Sequence, residues 1–450
     1  MKKKIALINP PWIEQNKFGI RAGSRWPYMV LKLSDGDTIP YPFFLGYATA
    51  LLKKNGVSAA LYDAIARGDS IEEFFEKLYF LKPDIIFLET STPSFNYDIS
   101  LLKKIKELFP KIILIIGGTH AAIYPELLKK YCFIDYLISG EYEEVLVDLV
   151  DALSSDNIDK ITDIKGLAFI DKKENSVIIN PAQKPVDINQ LPFPERNEDI
   201  YKYNEMLAPV RPNVSLMATR GCAYCCNFSL WPQTLYKNNL YRKRNVLSVV
   251  EEISYLKNNF NFQFFYFDDD SINLDSNFFN NLCNAIISEK LNIRWGCMGN
   301  INTIDATMLR NMADSGCEFI KLGVESGVDI ILCSIKNGIT RAKIIEKLML
   351  FKNFNIKRHL TFSIGHSEET EETLKQTLDL IDLIKPESLQ ISYLTPFPGT
   401  RLYDGLNLED KKELSFNGFE ITKSFCKTDI NTLKKYYHLI LERAEKYRVK

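Results

Sequence analysis

Long hydrophobic runs are missing from this sequence. No stretch approaches the roughly eighteen apolar residues that a membrane-spanning helix needs. Near the start of the chain, only four consecutive apolar residues precede Asn9, and this stretch is too short for the core of a signal peptide. We therefore expect a cytoplasmic protein without a membrane span.

An excess of charge of one sign is missing as well. The chain has 56 Lys and Arg against 57 Asp and Glu, and this balance gives no basis for a polyanionic partner such as nucleic acid. Internal repeats and low-complexity segments are also absent. The 450 residues should therefore form about two to three ordinary globular domains.

Cysteine is present, but its distribution is uneven. In the cytoplasm, cysteines are reduced thiols or metal ligands rather than disulfides, and scattered ones behave as small buried hydrophobes. Cys222, Cys225 and Cys226 fall within five positions, and this crowding indicates a metal site. The six scattered cysteines are Cys132, Cys283, Cys297, Cys317, Cys333 and Cys426.

The first 150 residues alternate short apolar strands with amphipathic helices. This alternation predicts a doubly wound parallel sheet with helices on both faces. Strands are predicted at 4–9, 59–63, 84–89, 112–117 and 136–139. Helices are predicted at 43–54, 70–80, 98–109, 121–130 and 143–153.

Four loops should leave the carboxyl ends of these strands, where such sheets bind their ligands. Small residues in the loops let a large planar ligand approach the backbone closely. The candidate ligand-binding residues are Asn9, Pro10, Pro11, Thr90, Ser91, Thr92, Gly117, Gly118, Thr119, His120, Gly140 and Glu141.

A second alternating series predicts a partial (β/α)6 TIM-like barrel. Its strands are predicted at 214–219, 262–268, 292–297, 319–323, 360–364 and 388–394. A β-hairpin at 164–180 and a proline-rich connector precede it. The predicted division is 1–155 for the first domain, 156–205 for hairpin and connector, 206–405 for the barrel, and 406–450 for a helical tail.

The loop after the first barrel strand reads Thr219-Arg-Gly-Cys-Ala-Tyr-Cys-Cys-Asn-Phe-Ser-Leu-Trp-Pro-Gln. It resembles the radical S-adenosylmethionine (SAM) superfamily, in which Cys, three residues, Cys, two residues and Cys hold a [4Fe–4S] cluster. Cys222 and Cys226 occupy the first two ligand positions, and Ser229 stands at the third. Three explanations stay open: an engineered serine, a natural one with Ser229 or Cys225 on the third iron, or a protein that has lost catalysis.

Later segments resemble the same superfamily at the ends of other barrel strands. Residues 267–270 should lie near the SAM amino group, 322–327 near its methionine carboxylate and ribose, and 364–370 near adenine. His366, Ser367 and Glu368 depart from the family's Gly-Leu-Pro-Gly-Glu-Thr segment. The SAM-binding residues that this resemblance implies are Asp268, Asp269, Glu325, Ser326, Gly365 and Glu369.

The front domain resembles the cobalamin-binding domain of the cobalamin-dependent radical SAM enzymes. The opening Ile-Asn-Pro-Pro, the Ile-Pro-Tyr-Pro at 39–42 and the Gly-Gly-Thr-His at 117–120 all match. The Asp-x-His-x-x-Gly signature of the mutase type is absent. His120 could be an axial ligand of cobalt, or its segment could wrap the corrin edge or nucleotide tail. A degenerate domain that serves only for packing is the remaining alternative.

This resemblance implies an enzyme that cleaves SAM reductively to a 5′-deoxyadenosyl radical and methylates an unactivated carbon. Its cofactors would be a [4Fe–4S] cluster, SAM and cobalamin, and an electron donor such as flavodoxin or ferredoxin would reduce it. The substrate would be an unidentified small molecule or peptide. A radical cyclase or rearrangement enzyme, and a catalytically lapsed cobalamin- or SAM-binding protein, are the alternatives.

Overall fold

The computed structural model describes residues 3–14, 17–21, 28–30, 39–155, 158–171, 173–224, 226–237, 239–335, 338–416 and 418–447. The chain folds into two compact units. The first contains residues 1–206 and 230–238, and the second contains residues 207–229 and 239–450. The finer boundaries predicted at 155, 205 and 405 stay predictions.

The first unit is a seven-stranded sheet with helices, together with a separate three-stranded sheet. Its strands are β1 (Ile5–Asn9), β2 (Ile13–Glu14), β3 (Lys17–Ile20), β4 (Tyr28–Val30), β5 (Ala59–Asp63), β6 (Ile85–Glu89), β7 (Ile113–Gly117), β8 (Tyr136–Ile138), β9 (Leu167–Asp171) and β10 (Ser176–Ile179). Its helices are α1 (Phe43–Lys54), α2 (Ala64–Arg67), α3 (Ile71–Leu81), α4 (Phe95–Leu108), α5 (Gly118–Ala121), α6 (Leu127–Lys130), α7 (Glu143–Ser154) and α8 (Leu230–Thr234).

The order of the large sheet is β10-β9-β8-β7-β6-β1-β5. Strands β5, β1, β6, β7 and β8 run parallel, which confirms the predicted parallel sheet. The hairpin β9–β10 adds two antiparallel strands at one edge. The strand order reverses between β1 and β6, and this switch point is where open α/β sheets form their ligand crevice.

The core of the first unit forms because the parallel strands are apolar on both faces. Strand β1 is buried along its whole length. Ile86 and Leu114 of the sheet pack in one cluster with Phe74 of α3 and Leu102 of α4. At about 25 cal/mol per Å² of buried apolar surface, such packing is the main stabilising contribution to the unit. In the part of the chain that the structure describes, no helix is long and apolar enough to cross a membrane.

Two local features of the first unit differ from the predictions. The helix predicted at 121–130 is two short helices, α5 and α6, because Pro125 lies between them and lacks the backbone N–H that a continuous helix needs. The antiparallel sheet β2–β3–β4 was not predicted at all. Its strands have two to four residues, too few to give a readable alternation of apolar and polar positions.

The second unit has six parallel strands paired in the order β11-β14-β15-β16-β17-β18, which confirms the partial barrel. Its strands are β11 (Asn213–Leu216), β12 (Thr219–Arg220), β13 (Arg242–Lys243), β14 (Phe264–Phe267), β15 (Arg294–Gly299), β16 (Cys317–Glu325), β17 (Lys357–Ile364) and β18 (Ser388–Tyr393). Its helices are α9 (Val246–Phe260), α10 (Ser276–Ser288), α11 (Ala306–Asp314), α12 (Asp329–Ile335), α13 (Arg341–Leu350), α14 (Glu371–Ile384), α15 (Arg401–Asp404), α16 (Leu408–Lys412) and α17 (Ile430–Tyr447).

Aromatic rings pack together near the start of two barrel strands. Phe319 of β16 stacks on Phe264 and Tyr266 of β14, with centroids 5.7 and 5.8 Å apart. Gly296 on the intervening strand leaves room for them, because a Cβ there would lie 2.5 Å from the Phe319 ring. The apolar packing lies within β14 and β16, and polar side chains occupy the carboxyl ends of these strands.

Gly316 at the start of β16 gives a testable prediction. Its φ of +93° favours glycine, and an added Cβ would lie 2.2 Å from the carbonyl oxygen of Ile293. Gly316→Ala should therefore lower the free energy of unfolding by about 2 kcal/mol or more, from strain and overpacking together. Urea unfolding, followed by fluorescence of the adjacent buried Trp295, measures this change.

Gly338→Ala is the matched control. Gly338 also has a positive φ, +85°, but a Cβ there would meet no atom within 4 Å in the described part of the chain. The loss should be about 1 kcal/mol, from backbone strain alone. Equal losses for the two variants would show that the contact with Ile293 does not matter.

Candidate functional site

The predicted cluster loop lies between β12 and α8. Cys222 is half-buried and Cys226 is buried. Ser229 is half-buried, whereas Cys225 lies outside the described residues. Among the residues that the structure describes, no group of three or more His, Cys, Asp or Glu side chains could hold a metal ion. The described donors are therefore two thiols and one hydroxyl.

Two aspartates at the end of β14 hold the start of this loop. Asp269 Oδ1 accepts hydrogen bonds from Ala218 N at 3.0 Å, from Thr219 Oγ1 at 2.6 Å and from Thr219 N. Asp270 Oδ2 accepts from Gly221 N at 3.0 Å. Burial raises the pKa of Asp269 to about 7, against the lowering effect of the hydrogen bonds from Thr219. The contacts of Asp269 thus position the loop, and its predicted contact with SAM stays a prediction.

The other end of the loop is held by the start of α15. Arg401 Nη2 donates to Cys226 O at 3.3 Å, and Leu402 N donates to Asn227 O at 3.0 Å. Both ends of the loop are therefore fixed by protein hydrogen bonds.

Glu325, at the end of β16, has an unusual backbone. Its φ is +69°, and Ser326 N donates to Val324 O across it at 2.9 Å. A positive φ with a bond from residue i+2 to residue i indicates a strained γ-turn. The pairing register with β17 also shifts between Gly323 and Glu325. Such bulges redirect side chains next to binding sites.

Ser326 is fully buried and faces α14. Its Oγ lies 3.4 Å from Thr377 Oγ1 and accepts a hydrogen bond from Val328 N at 3.3 Å. The next residue, Gly327, donates its N–H to Thr377 Oγ1 at 3.0 Å. Ser326 therefore contributes to the attachment of this turn to α14.

A tight loop follows β17. Glu369 Oε2 accepts hydrogen bonds from Gly365 N at 2.7 Å and His366 N at 3.3 Å. A Cβ at Gly365 would meet no atom of the described residues within 4 Å, so these residues leave open space beside the loop. Glu369 Oε1 and His366 Nδ1 are buried and have no hydrogen-bond partner among the described residues. Burial raises the pKa of Glu369 to about 7.

Asp268 is also buried, at the end of β14. Its N–H donates to Leu216 O of the neighbouring strand at 2.9 Å. The predicted SAM-binding residues therefore all follow β14, β16 or β17 of one parallel sheet, and parallel strands bring their carboxyl ends to the same edge.

In the first unit, a buried polar network supports the loop after β1. Arg21 Nη1 donates to Asn9 Oδ1 at 3.0 Å and to Pro10 O at 2.7 Å, and Arg21 Nη2 pairs with the Asp98 carboxylate. Asn9 Nδ2 donates to Asp63 Oδ1 at 2.9 Å. Burial raises the pKa of Asp98 to about 6, and Arg21 opposes this shift. Arg21 belongs to no motif, so its role in this network could not be predicted from the sequence.

The loops after β6 and β7 are joined to each other. Thr90 Oγ1 donates to Gly117 O at 2.9 Å, and Ala121 N donates to Thr90 Oγ1 at 3.3 Å. Gly118 has a φ of +91°, and a Cβ there would lie 2.5 Å from Thr90 O. The two predicted ligand-binding loops therefore touch.

His120 belongs to the same pair of loops. Its Nδ1 lies 3.1 Å from Thr92 Oγ1, and its ring packs between Phe95 and Tyr124, with centroids 4.1 and 5.1 Å away. Burial lowers the pKa of His120 to about 4. The imidazole is therefore neutral at neutral pH.

The loop after β8 contacts later parts of the chain. Glu141 Oε2 accepts a hydrogen bond from Val186 N at 3.0 Å. A Cβ at Gly140, whose φ is +102°, would lie 3.4 Å from Leu235 O and 3.7 Å from Gln183 Nε2. Gln183 Nε2 is buried and has no hydrogen-bond partner in the described parts of the chain.

Three more of the predicted ligand-binding residues lie in the other loops. Pro11 and Thr119 are buried, and Ser91 is half-buried with its Oγ 2.9 Å from Ser94 Oγ.

Two family models match the chain, one on each unit. The B12 binding domain matches residues 35–150, and the Radical SAM superfamily matches residues 214–381. The chain is a cobalamin-dependent radical SAM enzyme. The two matched domains support cobalamin, SAM and a [4Fe–4S] cluster as the cofactors.

Relatives of this radical SAM enzyme include methyltransferases and cyclases. An uncharacterized methyltransferase of Pyrococcus horikoshii is 28% identical over 82% of this chain and 79% of its own length. The anaerobic magnesium-protoporphyrin IX monomethyl ester cyclase of Cereibacter sphaeroides is 31% identical over 81% of this chain. The alignment spans 60% of that cyclase.

A solved structure has the same fold as this radical SAM enzyme. The radical SAM methyltransferase TsrM of Kitasatospora setae, with cobalamin and a [4Fe–4S] cluster bound, gives a TM-score of 0.71. It is 18% identical, and the match covers 89% of this chain and 77% of that one. At this identity the match shows the fold.

We predict that this enzyme binds cobalamin without an axial nitrogen from His120 or from the cofactor's own dimethylbenzimidazole base. His120 is held between two rings and beside Thr92, and the mutase-type signature is absent. Paramagnetic resonance of the cob(II)alamin complex should therefore show no nitrogen superhyperfine splitting. The spectrum of His120→Ala should match it, and a splitting that this variant removes would contradict the prediction.

We also predict that Glu325 serves SAM binding rather than folding. Replacing Glu325 by Ala removes a carboxylate from a strained turn, so the melting temperature should change little. SAM affinity, measured by calorimetry on reconstituted protein, should fall about tenfold, the effect of losing one charge-assisted hydrogen bond. A collapsed melting temperature with normal SAM affinity in the remaining folded protein would make Glu325 structural.

Proposed function

We propose that this chain methylates an unactivated carbon of a small molecule, using SAM. The observation that carries the proposal is the half-buried carboxylate of Glu325 at the end of β16, together with the buried polar atoms of Glu369 and His366 after β17. Glu325 is held in a strained turn, and buried atoms of Glu369 and His366 have no partner among the described residues. Burying polar atoms without partners costs about 1–3 kcal/mol each, so a lapsed site would gain stability by losing them.

The residues in place fit SAM and cobalamin. On the SAM side, the unpaired buried atoms lie beside the open space at Gly365, as expected where a polar ligand completes the hydrogen bonds. On the cobalamin side, the Gln183 amide has a buried, unpaired N–H beside Gly140. A corrin carries amide side chains whose carbonyl oxygens accept such bonds. Gln183 lies outside the matched B12 binding domain, at residues 35–150.

The fit to a [4Fe–4S] cluster is incomplete. Cys222 and Cys226 supply two soft thiolates, the ligand type that iron–sulfide clusters prefer. Ser229 supplies a hydroxyl, whose oxygen is harder than sulfur and resists ionisation. When bound, the cluster supplies the electron for SAM cleavage and cobalamin carries the methyl group.

The chain's own residues have separate tasks in this proposal. Asp269 and Asp270 fix the loop that holds Cys222 and Cys226, and Glu325 and Glu369 orient SAM. The proteins that reduce the cluster would be flavodoxin or ferredoxin, and reduced thiols are what a cytoplasmic location would maintain.

A second function has one specific observation in its favour. The cyclase of Cereibacter sphaeroides is 31% identical to this chain, so ring formation on the substrate, without methyl transfer, is the competing outcome. Incubation with SAM that carries a deuterated methyl group separates the two. Methylation adds the labelled methyl to the product, whereas cyclisation leaves the product unlabelled.

Ser229→Cys tests the cluster assignment. With three thiolates, the variant should hold about four irons per chain after anaerobic reconstitution. It should also form 5′-deoxyadenosine from SAM and dithionite, because SAM cleavage needs the low end of the cluster potentials, which span roughly −700 to +450 mV. The unmodified chain should hold less iron and form 5′-deoxyadenosine much more slowly.

Ser229→Ala is the control, since it removes the hydroxyl without adding a thiol. It should resemble the unmodified chain. If the unmodified chain holds a full cluster and cleaves SAM as well as Ser229→Cys, our assignment of Ser229 as a defective ligand is wrong. Cys225→Ala would then show whether Cys225 supplies the third thiolate.

A further inference from the structure

Three side chains form a hydrogen-bonded chain across the ends of β16 and β17. Ser363 Oγ donates to Glu325 Oε2 at 2.9 Å. The same Oγ lies 2.9 Å from His366 Nε2. Ser363 and His366 are buried, at 6% and 2% exposure. Ser363 therefore joins the glutamate of one strand to the histidine of the loop that follows the other.

The direction of each hydrogen bond follows from the number of protons. Ser363 has a single hydroxyl proton, and this proton points to the Glu325 carboxylate. Burial lowers the pKa of His366 to about 4, against the raising effect of a hydrogen bond with the Ser363 backbone, so the imidazole is neutral and has one N–H. That N–H must lie on Nε2, because Ser363 Oγ has only lone pairs left to offer. Nδ1 is then the unprotonated nitrogen.

This arrangement is costly for His366 itself. As an acceptor, Nδ1 is buried without a partner among the described residues, and such a group costs about 1–3 kcal/mol. The family segment that this loop resembles has leucine at the position of His366. Leucine would fill similar space without this cost. Stability alone thus does not explain why position 366 is a histidine. The hydrogen bond that its N–H donates to Ser363 does explain it.

We propose that His366 is a positioning residue that acts through Ser363 to hold the Glu325 carboxylate in place for SAM. Glu325 needs such support, because its backbone is in the left-handed region at a bulge. A donating histidine also polarises the Ser363 hydroxyl, which strengthens the bond to Glu325. The inference rests on the proposed SAM site and adds two residues to it.

The tautomer of His366 can be measured directly in the unmodified protein, and this measurement tests the hydrogen bonds that join His366, Ser363 and Glu325. In protein labelled with ¹⁵N-histidine, one of the four histidines should show a protonated Nε2 and an unprotonated Nδ1 at neutral pH. His366→Leu identifies this signal by removing it. A protonated Nδ1, or a fully charged ring, would overturn the inference without any variant having to bind SAM.

Affinity for SAM tests the role, by calorimetry on reconstituted protein. His366→Leu should bind SAM about tenfold more weakly, with an unchanged or higher melting temperature. His366→Gln should recover part of the affinity, because its amide Nε2 can donate to Ser363. The single variant Ser363→Ala and the double variant Ser363→Ala/His366→Leu should each lose as much SAM affinity as His366→Leu. All three variants interrupt the same series of hydrogen bonds, so their effects should not add.

His359→Leu is the matched control. His359 lies on β17, and its Nδ1 is 2.8 Å from the hydroxyl of Ser388. Burial lowers its pKa to about 3. This variant should keep normal SAM affinity. Equal affinity of His366→Leu and unmodified protein, or additive losses in the double variant, would overturn the inference. An unmodified protein that binds no SAM at all would instead contradict the proposed function.

Discussion

The carboxylate of Asp269 is the contact on which the second unit's site depends. It follows β14 and accepts three hydrogen bonds from the two residues that precede the cluster loop. Because β11 and β14 are parallel neighbours, this contact fixes the loop at the carboxyl edge of the barrel. Burial raises the pKa of Asp269 to about 7. A carboxyl pKa above its ordinary value means that the charged form of Asp269 opposes folding near neutral pH. We therefore explain the presence of Asp269 by the loop that it positions and not by a contribution of its charge to stability.

The same principle organises both units. Parallel strands end at one edge, and the side chains just beyond them meet although they are far apart in sequence. In the first unit, Thr90 and Gly117 meet across 27 positions. In the second, Glu325 and Ser363 meet across 38. The hydrophobic core decides where the strands lie, and the loops are free to differ in chemistry because they contribute little to that core.

Motifs and apolar runs allowed the sequence to predict the parallel sheet, the six barrel strands and the cysteine loop. Strand β5 has the predicted bounds, since its apolar run is short and well delimited. Contacts made by residues without a motif could not be predicted. Arg21 and Ser363 are ordinary residues in sequence, and only the fold brings them to Asn9 and Glu325. His366 was visible as a departure from the family segment, but its partner was not.

Serine at the predicted third cluster position, Ser229, should affect the metal site far more than the fold. In small zinc domains, metal binding supplies the folding free energy, so losing a ligand unfolds the domain. Here the loop is held at one end by Asp269 and Asp270 and at the other by Arg401 and Leu402. These hydrogen bonds involve no metal. Ser229 should therefore leave Cys222 and Cys226 in place, and we expect its effect to be on how firmly iron is bound.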